Sequence, residues 1–277
     1  MLVTLNDVLI KAQREGYGII SANVFNMESV LAVFDSARKL KSPVIIACAE
    51  RFDIEAIAEI CKFYSKRFSD VVAVLHLDHG KSFENLIKAI KAGYTSVMID
   101  ASLDPFEENV RKTSEIVKIA HAAGVSVEGE LGHVGRSTDY DFNVEDNLTQ
   151  PYEALRFVKE TSIDCLAVSI GTAHGLYKST PKLDFNRLKE IRKTISLPLA
   201  LHGGSSSGDE NIRKAIDLGI SKINIFTDLI SSGGDKIKSL VEKGDNIDFV
   251  TACKEGLEGY KEVLIRYIKL FGSSNQA

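Results

Sequence analysis

The residues best suited to chemistry stand together in the segment Val71–Gly80, VVAVLHLDHG. Its apolar, β-branched run predicts a buried strand, and the run leads into Asp78-His79-Gly80. A carboxylate beside an imidazole at a strand end can be a general acid or base next to a metal ligand. The same pair can also be only a polar strand cap. Its meaning depends on which other reactive side chains the fold brings near it.

Polar or ligand-type side chains lie at the ends of six predicted strands. Along the chain they are Asp78 and His79 after the third predicted strand, Asp100 after the fourth, Glu130 at the end of the fifth, His174 after the sixth, His202 at the end of the seventh, and Asn224 and Thr227 at the end of the eighth. Three imidazoles with one open position form a common catalytic zinc arrangement. If these ends meet, convergence of His79, His174 and His202 is hard to explain as structure alone, and we interpret them as a metal site.

The other histidines fit such a site less well. His76 lies two residues before Asp78 and shares its face of the strand, so we expect it in the barrel interior or behind the site. His121 falls on a predicted helix surface. His133 lies in the longest predicted loop, Gly132 to about Gln150, and its role stays open.

Eight predicted strands alternate with helices. The strands are Gly18–Val24, Pro43–Ala47, Val71–Leu77, Thr95–Ile99, Val125–Glu130, Cys165–Ile170, Leu197–Leu201 and Ile220–Phe226. The helices between them are Glu28–Lys39, Ile54–Phe68, Phe83–Ala92, Pro105–Ala122, Pro151–Lys159, Asp184–Lys193 and Asp209–Leu218, with Asn6–Glu15 before the first strand and a helical remainder after the last. This alternation predicts an α/β fold, a (β/α)₈ TIM barrel forming one domain over residues 1–277, with its site at the carboxyl ends of the strands. A doubly wound open sheet is the alternative, but it usually has fewer strands, and no GxGxxG follows the first strand.

The barrel predicts a further role for two segments at the ends of the seventh and eighth strands. His202-Gly203-Gly204-Ser205 precedes a predicted helix, and Asn224–Thr227 follows the eighth strand. Loops after strands seven and eight commonly bind phosphate in this fold, through backbone N–H groups and hydroxyls. A tight turn is the commoner reason for such a Gly-Gly-Ser sequence. Its position beside a candidate metal ligand favours phosphate.

Composition narrows the class of protein. The 277 residues are 44% hydrophobic and 26% charged, as in ordinary globular proteins, and the formal net charge is −4 with no long basic block. Nucleic acid is therefore not an expected partner. We also expect no membrane span, no secretion signal and a cytoplasmic location. The four cysteines lack CxxC spacing, which predicts small buried free thiols.

The chain resembles the class II (zinc-dependent) ketose-bisphosphate aldolases, of fructose- or tagatose-bisphosphate type, over nearly its whole length. The matching segments are Val74–Gly80 (VLHLDHG), Ser96–Ala101 (SVMIDA), Pro105–Val110 (PFEENV), Val127–Gly132 (VEGELG), Ala167–Tyr177 (AVSIGTAHGLY), Leu201–Ser205 (LHGGS), Lys222–Asp228 (KINIFTD) and Phe271–Ala277 (FGSSNQA). The set is specific because each segment falls at its expected place in order.

The resemblance implies roles for individual residues. His79, His174 and His202 would hold the catalytic Zn²⁺, and Asp78 would be the catalytic acid/base. Asp100 and Glu130 match positions of a second or displaced divalent metal. The positions matching dihydroxyacetone phosphate binding are Gly175, Gly203, Gly204, Ser205, Asn224, Ile225, Phe226 and Thr227. Relatives also use a monovalent cation, Na⁺ or K⁺, near that phosphate, and assemble as homodimers or homotetramers.

The loop after the fifth strand departs from the family pattern. Where the family has a proton-handling Glu, this chain has Thr138, and Asp139 or His133 is the candidate replacement. Ala49 replaces a Ser or Thr after the second strand. Phe226 replaces a smaller residue, so that only its backbone amide can serve phosphate.

A further departure bears on the substrate. Many relatives have Asp-Pro-Arg in the C-terminal region, where the Arg binds the distal phosphate, whereas this chain has Asp248-Phe249-Val250. Losing a charge-assisted contact would weaken binding of a 6-phosphate, unless Arg51 or Arg136 replaces it. The expected activity is cleavage of a ketose 1,6-bisphosphate to dihydroxyacetone phosphate and an aldehyde such as glyceraldehyde 3-phosphate. The alternatives are an aldolase for another phosphorylated keto sugar, a catalytically silent sugar-phosphate binder, or a zinc hydrolase.

Overall fold

Eight parallel strands close into a barrel in the computed structural model, which describes residues 1–135, 147–177, 179–244 and 247–277. Each strand pairs with the next in sequence, and the eighth pairs with the first. The strands β1 to β8 are Ile19–Asn23, Val44–Ala49, Ala73–Gly80, Ser96–Ile99, Ser126–Leu131, Cys165–Val168, Leu199–Leu201 and Ile220–Ile225. The prediction of a (β/α)₈ barrel is confirmed.

Ten helices surround or close this sheet in the described part of the chain. The helices α1 to α10 are Leu5–Glu15, Met27–Leu40, Ile54–Arg67, Phe83–Ala92, Phe106–Ala122, Pro151–Thr161, Phe185–Thr194, Asp209–Asp217, Thr227–Glu242 and Phe249–Leu270. Several begin at side-chain caps, such as Ser82 before α4, whose hydroxyl accepts the N–H of Asn85. Among these helices none combines the length and apolarity that a membrane crossing needs.

Two apolar layers hold the barrel together. The larger one lies between the sheet and the outer helices. The smaller one fills the end of the barrel where the strands begin, and α1 closes that end with Leu5, Val8 and Leu9. Apolar packing at one end leaves the other for polar side chains, so the carboxyl ends of the strands carry the reactive groups.

Most predicted boundaries shift by one or two residues, and one shift matters for function. The third strand was predicted to end at Leu77, but β3 continues through Asp78 and His79 to Gly80. The fifth and later strands end near the predicted positions, and His202 follows β7 directly. The prediction of buried cysteines is wrong for Cys253, which is exposed on α10, whereas the other three are buried and all four are free thiols. Arg136, Thr138 and Asp139 lie outside the described residues.

Candidate active site

Asp78 and His79 are adjacent, yet both side chains reach the same end of the barrel. Successive side chains in a regular strand point to opposite faces. The pairing of β3 with β4 shifts register between Leu77 and Gly80, and His79 adopts a left-handed backbone with φ 51°. Such a bulge re-aims one side chain. The irregularity thus allows a carboxylate and an imidazole to serve one site.

The three predicted imidazoles come together at this end. The ring centroid of His79 lies 5.1 Å from that of His174 and 4.7 Å from that of His202. One ring nitrogen from each of the three lies within 4.8 Å of the other two. These residues come from three different strand ends, so the barrel alone makes them neighbours.

Hydrogen bonds fix which nitrogen of each ring faces the others. His79 Nδ1 lies 2.8 Å from Asp100 Oδ2, His202 Nε2 lies 2.8 Å from Glu128 Oε1, and His174 Nδ1 lies 3.1 Å from the carbonyl oxygen of Val134. Carboxylate and carbonyl oxygens accept, so these nitrogens carry protons. The remaining nitrogen of each ring is then free to ligate. Orientation of metal-binding histidines by such partners is usual, and the donor set fits a divalent ion such as Zn²⁺.

A second candidate group adjoins the first. His79, Asp100 and Glu130 also offer ligand atoms within 4.8 Å of one another. Glu130 Oε2 is buried without a hydrogen-bond partner, while Oε1 accepts the N–H of Val134 at 3.3 Å. Burial, and then the negative charge of Asp100, raise the pKa of Glu130 to about 8. At pH 7 the cation-free side chain is therefore mostly protonated, and a cation that bound its open oxygen would displace that proton.

Asp78 sits in a polar setting that favours its charged form. Asn23 Nδ2 donates to Oδ2 at 2.7 Å, and Asn224 Nδ2 donates to Oδ1 at 2.9 Å. Burial alone would raise the pKa of Asp78, but the positive charges of His79 and Lys222 outweigh it and hold that pKa well below its usual range. The carboxylate is therefore ionised and held at both oxygens, with a lone pair on each still free.

Behind this layer lies a buried cluster of charged and polar side chains. The sequence pointed to His76 in this cluster but not to Glu128. Lys222 Nζ lies 2.9 Å from both carboxylate oxygens of Glu128, and both side chains are fully buried. His76 lies beside them, with Nδ1 2.8 Å from Ser96 Oγ and Nε2 3.8 Å from Glu128 Oε2. His76 was expected in the barrel interior, and it lies there. Glu128 lies two residues before Glu130, and alternate residues of a strand share one face. This spacing could have identified Glu128 from the sequence.

The glycine segment after β7 forms a tight loop against its neighbours. Gly203 has φ 66°, and a Cβ there would overlap the carbonyl oxygen of Ala173. A Cβ on Gly204 would lie 2.6 Å from Ile223 Cγ2. Only glycine allows this approach. The loop therefore brings backbone close to the carboxyl ends of β6 and β8.

The remaining predicted phosphate residues lie around the same loop. Ser205 Oγ accepts the N–H groups of Phe226 and Asp228 at 3.2 and 3.3 Å, so the Phe226 amide already has a partner. Ile225 ends β8 and Thr227 begins α9, a helix N-terminus of the kind that favours anions. Gly175 follows His174 with φ 106°.

His133, whose role stayed open, lies next to the second metal group. Its Nδ1 is 3.0 Å from Ser102 Oγ, and that hydroxyl donates to Asp100 Oδ1 at 2.7 Å. Ser102 was not singled out from the sequence. His133 thereby supports the carboxylate that in turn orients His79.

The rim near β2 and β8 carries an arginine with aromatic neighbours. The guanidinium carbon of Arg51 lies 5.0 Å from the ring centroid of Phe52 and 5.3 Å from that of Phe226. Within the described residues no carboxylate pairs with Arg51. Asp248 instead caps α10 by accepting the N–H of Thr251, and Phe249 beside it is 84% exposed. Residues Asp248, Phe249 and Val250 therefore carry no cationic side chain that could bind a distal phosphate, whereas the rim carries Arg51.

Comparisons with known proteins point to one family. The family model described as "Fructose-bisphosphate aldolase class-II" matches residues 3–276. A Bacillus subtilis (strain 168) protein named "Probable fructose-bisphosphate aldolase" is 42% identical over 284 residues, covering 100% of this chain and 99% of that protein.

Solved structures agree with this assignment. The crystal structure of the YdjI aldolase from Escherichia coli K12 superimposes with a TM-score of 0.89 at 36% identity, with all of both chains covered. The fructose-bisphosphate aldolase of Campylobacter jejuni has a TM-score of 0.85 at 24% identity, covering 100% of this chain and 97% of that one, and shows the shared fold.

Proposed function

The chain belongs to the class-II fructose-bisphosphate aldolase family, and on that premise we propose that it cleaves a ketose 1,6-bisphosphate reversibly to dihydroxyacetone phosphate and an aldehyde such as glyceraldehyde 3-phosphate. The family consists of carbon–carbon lyases that act on small sugar phosphates. The observation that best supports the specific reaction is the meeting of three orientated imidazoles with an ionised carboxylate held by two amides.

We assign the metal to His79, His174 and His202 and propose that it is Zn²⁺, for which three imidazoles and an open position are usual. When bound there, the ion would polarise the C2 carbonyl as a Lewis acid. Asp100 and Glu130 would serve a second divalent position. A monovalent cation near the phosphate, Na⁺ or K⁺, belongs to the same proposal.

Asp78 would move the proton. Cleavage of the C3–C4 bond requires loss of the proton on the C4 hydroxyl, and an ionised Asp78 can accept it. In the condensation direction the same carboxyl group returns the proton to the aldehyde oxygen. The amides of Asn23 and Asn224 hold the carboxylate in place, since each occupies one of its oxygens.

Dihydroxyacetone phosphate would lie against the loops after β6, β7 and β8. The residues proposed to bind it are Gly175, Gly203, Gly204, Ser205, Asn224, Ile225, Phe226 and Thr227. The tight glycine loop and the N-terminus of α9 would supply backbone N–H groups to its phosphate.

We propose that Arg51 takes the distal anionic group of the substrate. Its guanidinium packs against two phenyl rings that also contact each other, and no described carboxylate neutralises it. Ala49, two residues before it, pairs with Asp78 in the β2–β3 register, so the backbone of Arg51 lies just beyond the strand end that neighbours Asp78. A substrate that lacks a 6-phosphate is the alternative, and a carboxylate at that end would suit the same cation.

The decisive experiment measures dihydroxyacetone phosphate released from fructose and tagatose 1,6-bisphosphates and from the corresponding 1-phosphates, with zinc present and after chelation. We expect zinc-dependent release and a higher kcat/KM for a bisphosphate. Absence of release from all of them would refute the specific proposal. Binding without release in any metal state would favour a silent binder. Hydrolysis, with no exchange of a dihydroxyacetone phosphate proton with solvent, would favour a zinc hydrolase.

Three further expectations remain predictions: one domain over residues 1–277, assembly as a homodimer or homotetramer, and a cytoplasmic location.

A further inference from the structure

A continuous chain of buried hydrogen bonds joins Asp78 to His202. Asp78 Oδ1 accepts from Asn224 Nδ2 at 2.9 Å, Asn224 Oδ1 accepts from Lys222 Nζ at 2.7 Å, and Glu128 accepts from Lys222 and from His202 Nε2. All five side chains are at least 93% buried. Lys222 is the middle member and the only one that touches neither the proposed proton acceptor nor a proposed metal ligand.

The chemistry of an ammonium group decides the orientation of both its neighbours. Lysine only donates, so the oxygen of the Asn224 amide has to face Nζ, and its NH₂ has to face Asp78. An asparagine without such a neighbour could turn over and present its oxygen to the carboxylate. Lys222 therefore selects the one amide orientation that can hold Asp78.

The same ammonium acts on the other side through Glu128. Lys222 Nζ lies 2.9 Å from both carboxylate oxygens of Glu128 inside the barrel, and this buried ion pair keeps the carboxylate ionised. An ionised Glu128 can only accept, so His202 places its proton on Nε2. His202 Nδ1, which lies 2.9 Å from His79 Nε2, is then left with a lone pair toward the metal site.

We propose that Lys222 is a positioning residue that sets two features of the active site together, the amide orientation that holds Asp78 and the tautomer of His202. It acts from behind the site and forms no bond to the substrate. This inference rests on the proposed function for its kinetic part, but its metal-binding part does not depend on which sugar is cleaved.

The test uses full-length protein with Lys222→Met and the double variant K222M/E128Q. The single change leaves a buried carboxylate without its cation and can fail to fold, whereas the double change removes both charges at similar volume. Ile223→Val is the matched control, because Ile223 is fully buried on the same strand but packs in the outer apolar layer. It should lower the unfolding temperature and leave kcat and metal affinity near wild type.

For the folded double variant we expect kcat to fall at least about 30-fold, with KM within about threefold of wild type. Zinc affinity, measured by chelator competition, should fall about 10- to 100-fold, because loss of a residue that orients a metal ligand usually has an effect of this size. Nitrogen-15 spectra of labelled histidines in the metal-free protein should show one tautomer for His202 in the wild type and a mixture in the variant. Lys222→Arg should recover part of the zinc affinity.

The inference is overturned if the folded double variant keeps wild-type zinc affinity and a single His202 tautomer. It is also overturned if kcat returns fully at saturating zinc, since Asp78 would then not depend on Lys222. If the wild type cleaves no ketose phosphate, the proposed function fails, while zinc affinity and the nitrogen-15 spectra still decide the role of Lys222.

Discussion

His79 Nε2 and His202 Nδ1 lie 2.9 Å apart, although the opposite nitrogen of each ring faces a carboxylate. Both facing nitrogens would carry lone pairs if the rings were neutral, and two lone pairs at this distance repel. A cation between or beside them removes the conflict, either as a proton on His79 or as a metal ion. The rings are thus arranged so that proton and metal compete for one position.

This competition predicts proton release on metal binding. Burial lowers the pKa of His79, but Asp78, Asp100 and Glu130 outweigh it and raise that pKa to about 9. At pH 7 the metal-free His79 is protonated, so zinc has to displace that proton. Apparent zinc affinity should rise about tenfold from pH 7 to pH 8 and about fivefold from pH 8 to pH 9 as the proton of His79 is lost.

Calorimetry in two buffers of different ionisation enthalpy measures the protons released. Asp100→Asn removes a partner that raises the pKa of His79 and should reduce the release at pH 8. Asp104→Asn, which removes a carboxylate paired with Lys112 on the surface, is the control and should change nothing. Zinc affinity independent of pH in the wild type would contradict the prediction.

Replacing Asp78 should separate proton transfer from metal binding. Asp78→Asn keeps the volume and loses the base, so we expect kcat to fall about 10²–10⁴-fold. Zinc content, measured by mass spectrometry of the purified protein, should stay near one per chain. Asp78→Ala should likewise abolish turnover and retain zinc.

His79→Ala serves as the comparison, since it should lose zinc as well as activity. A near-normal kcat in Asp78→Asn would show that another group accepts the C4 proton.

His76 predicts a difference in acid stability. Burial, with the charge of Lys222, lowers the pKa of His76 to about 3 against 6.5 for the exposed side chain. The unfolded chain therefore binds a proton that the folded chain excludes when the pH lies between these values. Stability from His76 is present above pH 6.5 and is lost as the pH falls toward 3.

His76→Gln removes that titration. Between pH 7 and pH 5 the wild type should lose about 2 kcal/mol more of its unfolding free energy than the variant. Urea denaturation of metal-free protein at both pH values measures this difference. Equal losses in the two proteins would show that His76 is protonated within the fold.

Arg51 predicts a selective change in substrate binding. Arg51→Gln should raise KM for a ketose 1,6-bisphosphate about tenfold, because a hydrogen bond to a charged group contributes roughly 1.5–3 kcal/mol and this one is partly exposed. KM for the 1-phosphate should change by less than about twofold. Arg111→Gln removes another exposed guanidinium, on α5, where it pairs with Glu108, and is the charge control. Equal effects on both substrates would show that Arg51 does not bind the distal group.

The sequence was sufficient for the architecture because each strand is a short apolar run bounded by turn residues. It also placed His79, His174 and His202 at strand ends, which the barrel turns into neighbours. It could not reveal the bulge at His79, since a local shift of register depends on pairing with β4. Alternation along a strand would have put Asp78 and His79 on opposite faces.

Long-range partners were equally hidden. Asn23 contacts Asp78 across 55 positions of sequence, and Glu128 contacts Lys222 across 94. Neither pair has a local pattern, because the closed barrel alone brings β1 to β3 and β5 to β8. Arg51 could be considered as a distal cation from its charge, but its contact with Phe226 follows from the closure between β8 and β1.

Gly203 offers a last test, because Gly16 gives a matched comparison. Both have a left-handed backbone, with φ 66° and 73°, so alanine at either should cost about 1 kcal/mol of conformational strain. A Cβ on Gly16 meets nothing within 4 Å, whereas a Cβ on Gly203 would overlap the Ala173 carbonyl oxygen. Gly203→Ala should therefore displace the loop, destabilise the fold by more than Gly16→Ala and raise KM for substrate at least tenfold. Urea denaturation and steady-state kinetics on both variants measure this, and equal stability losses with unchanged KM would show that the loop does not need its close approach to Ala173.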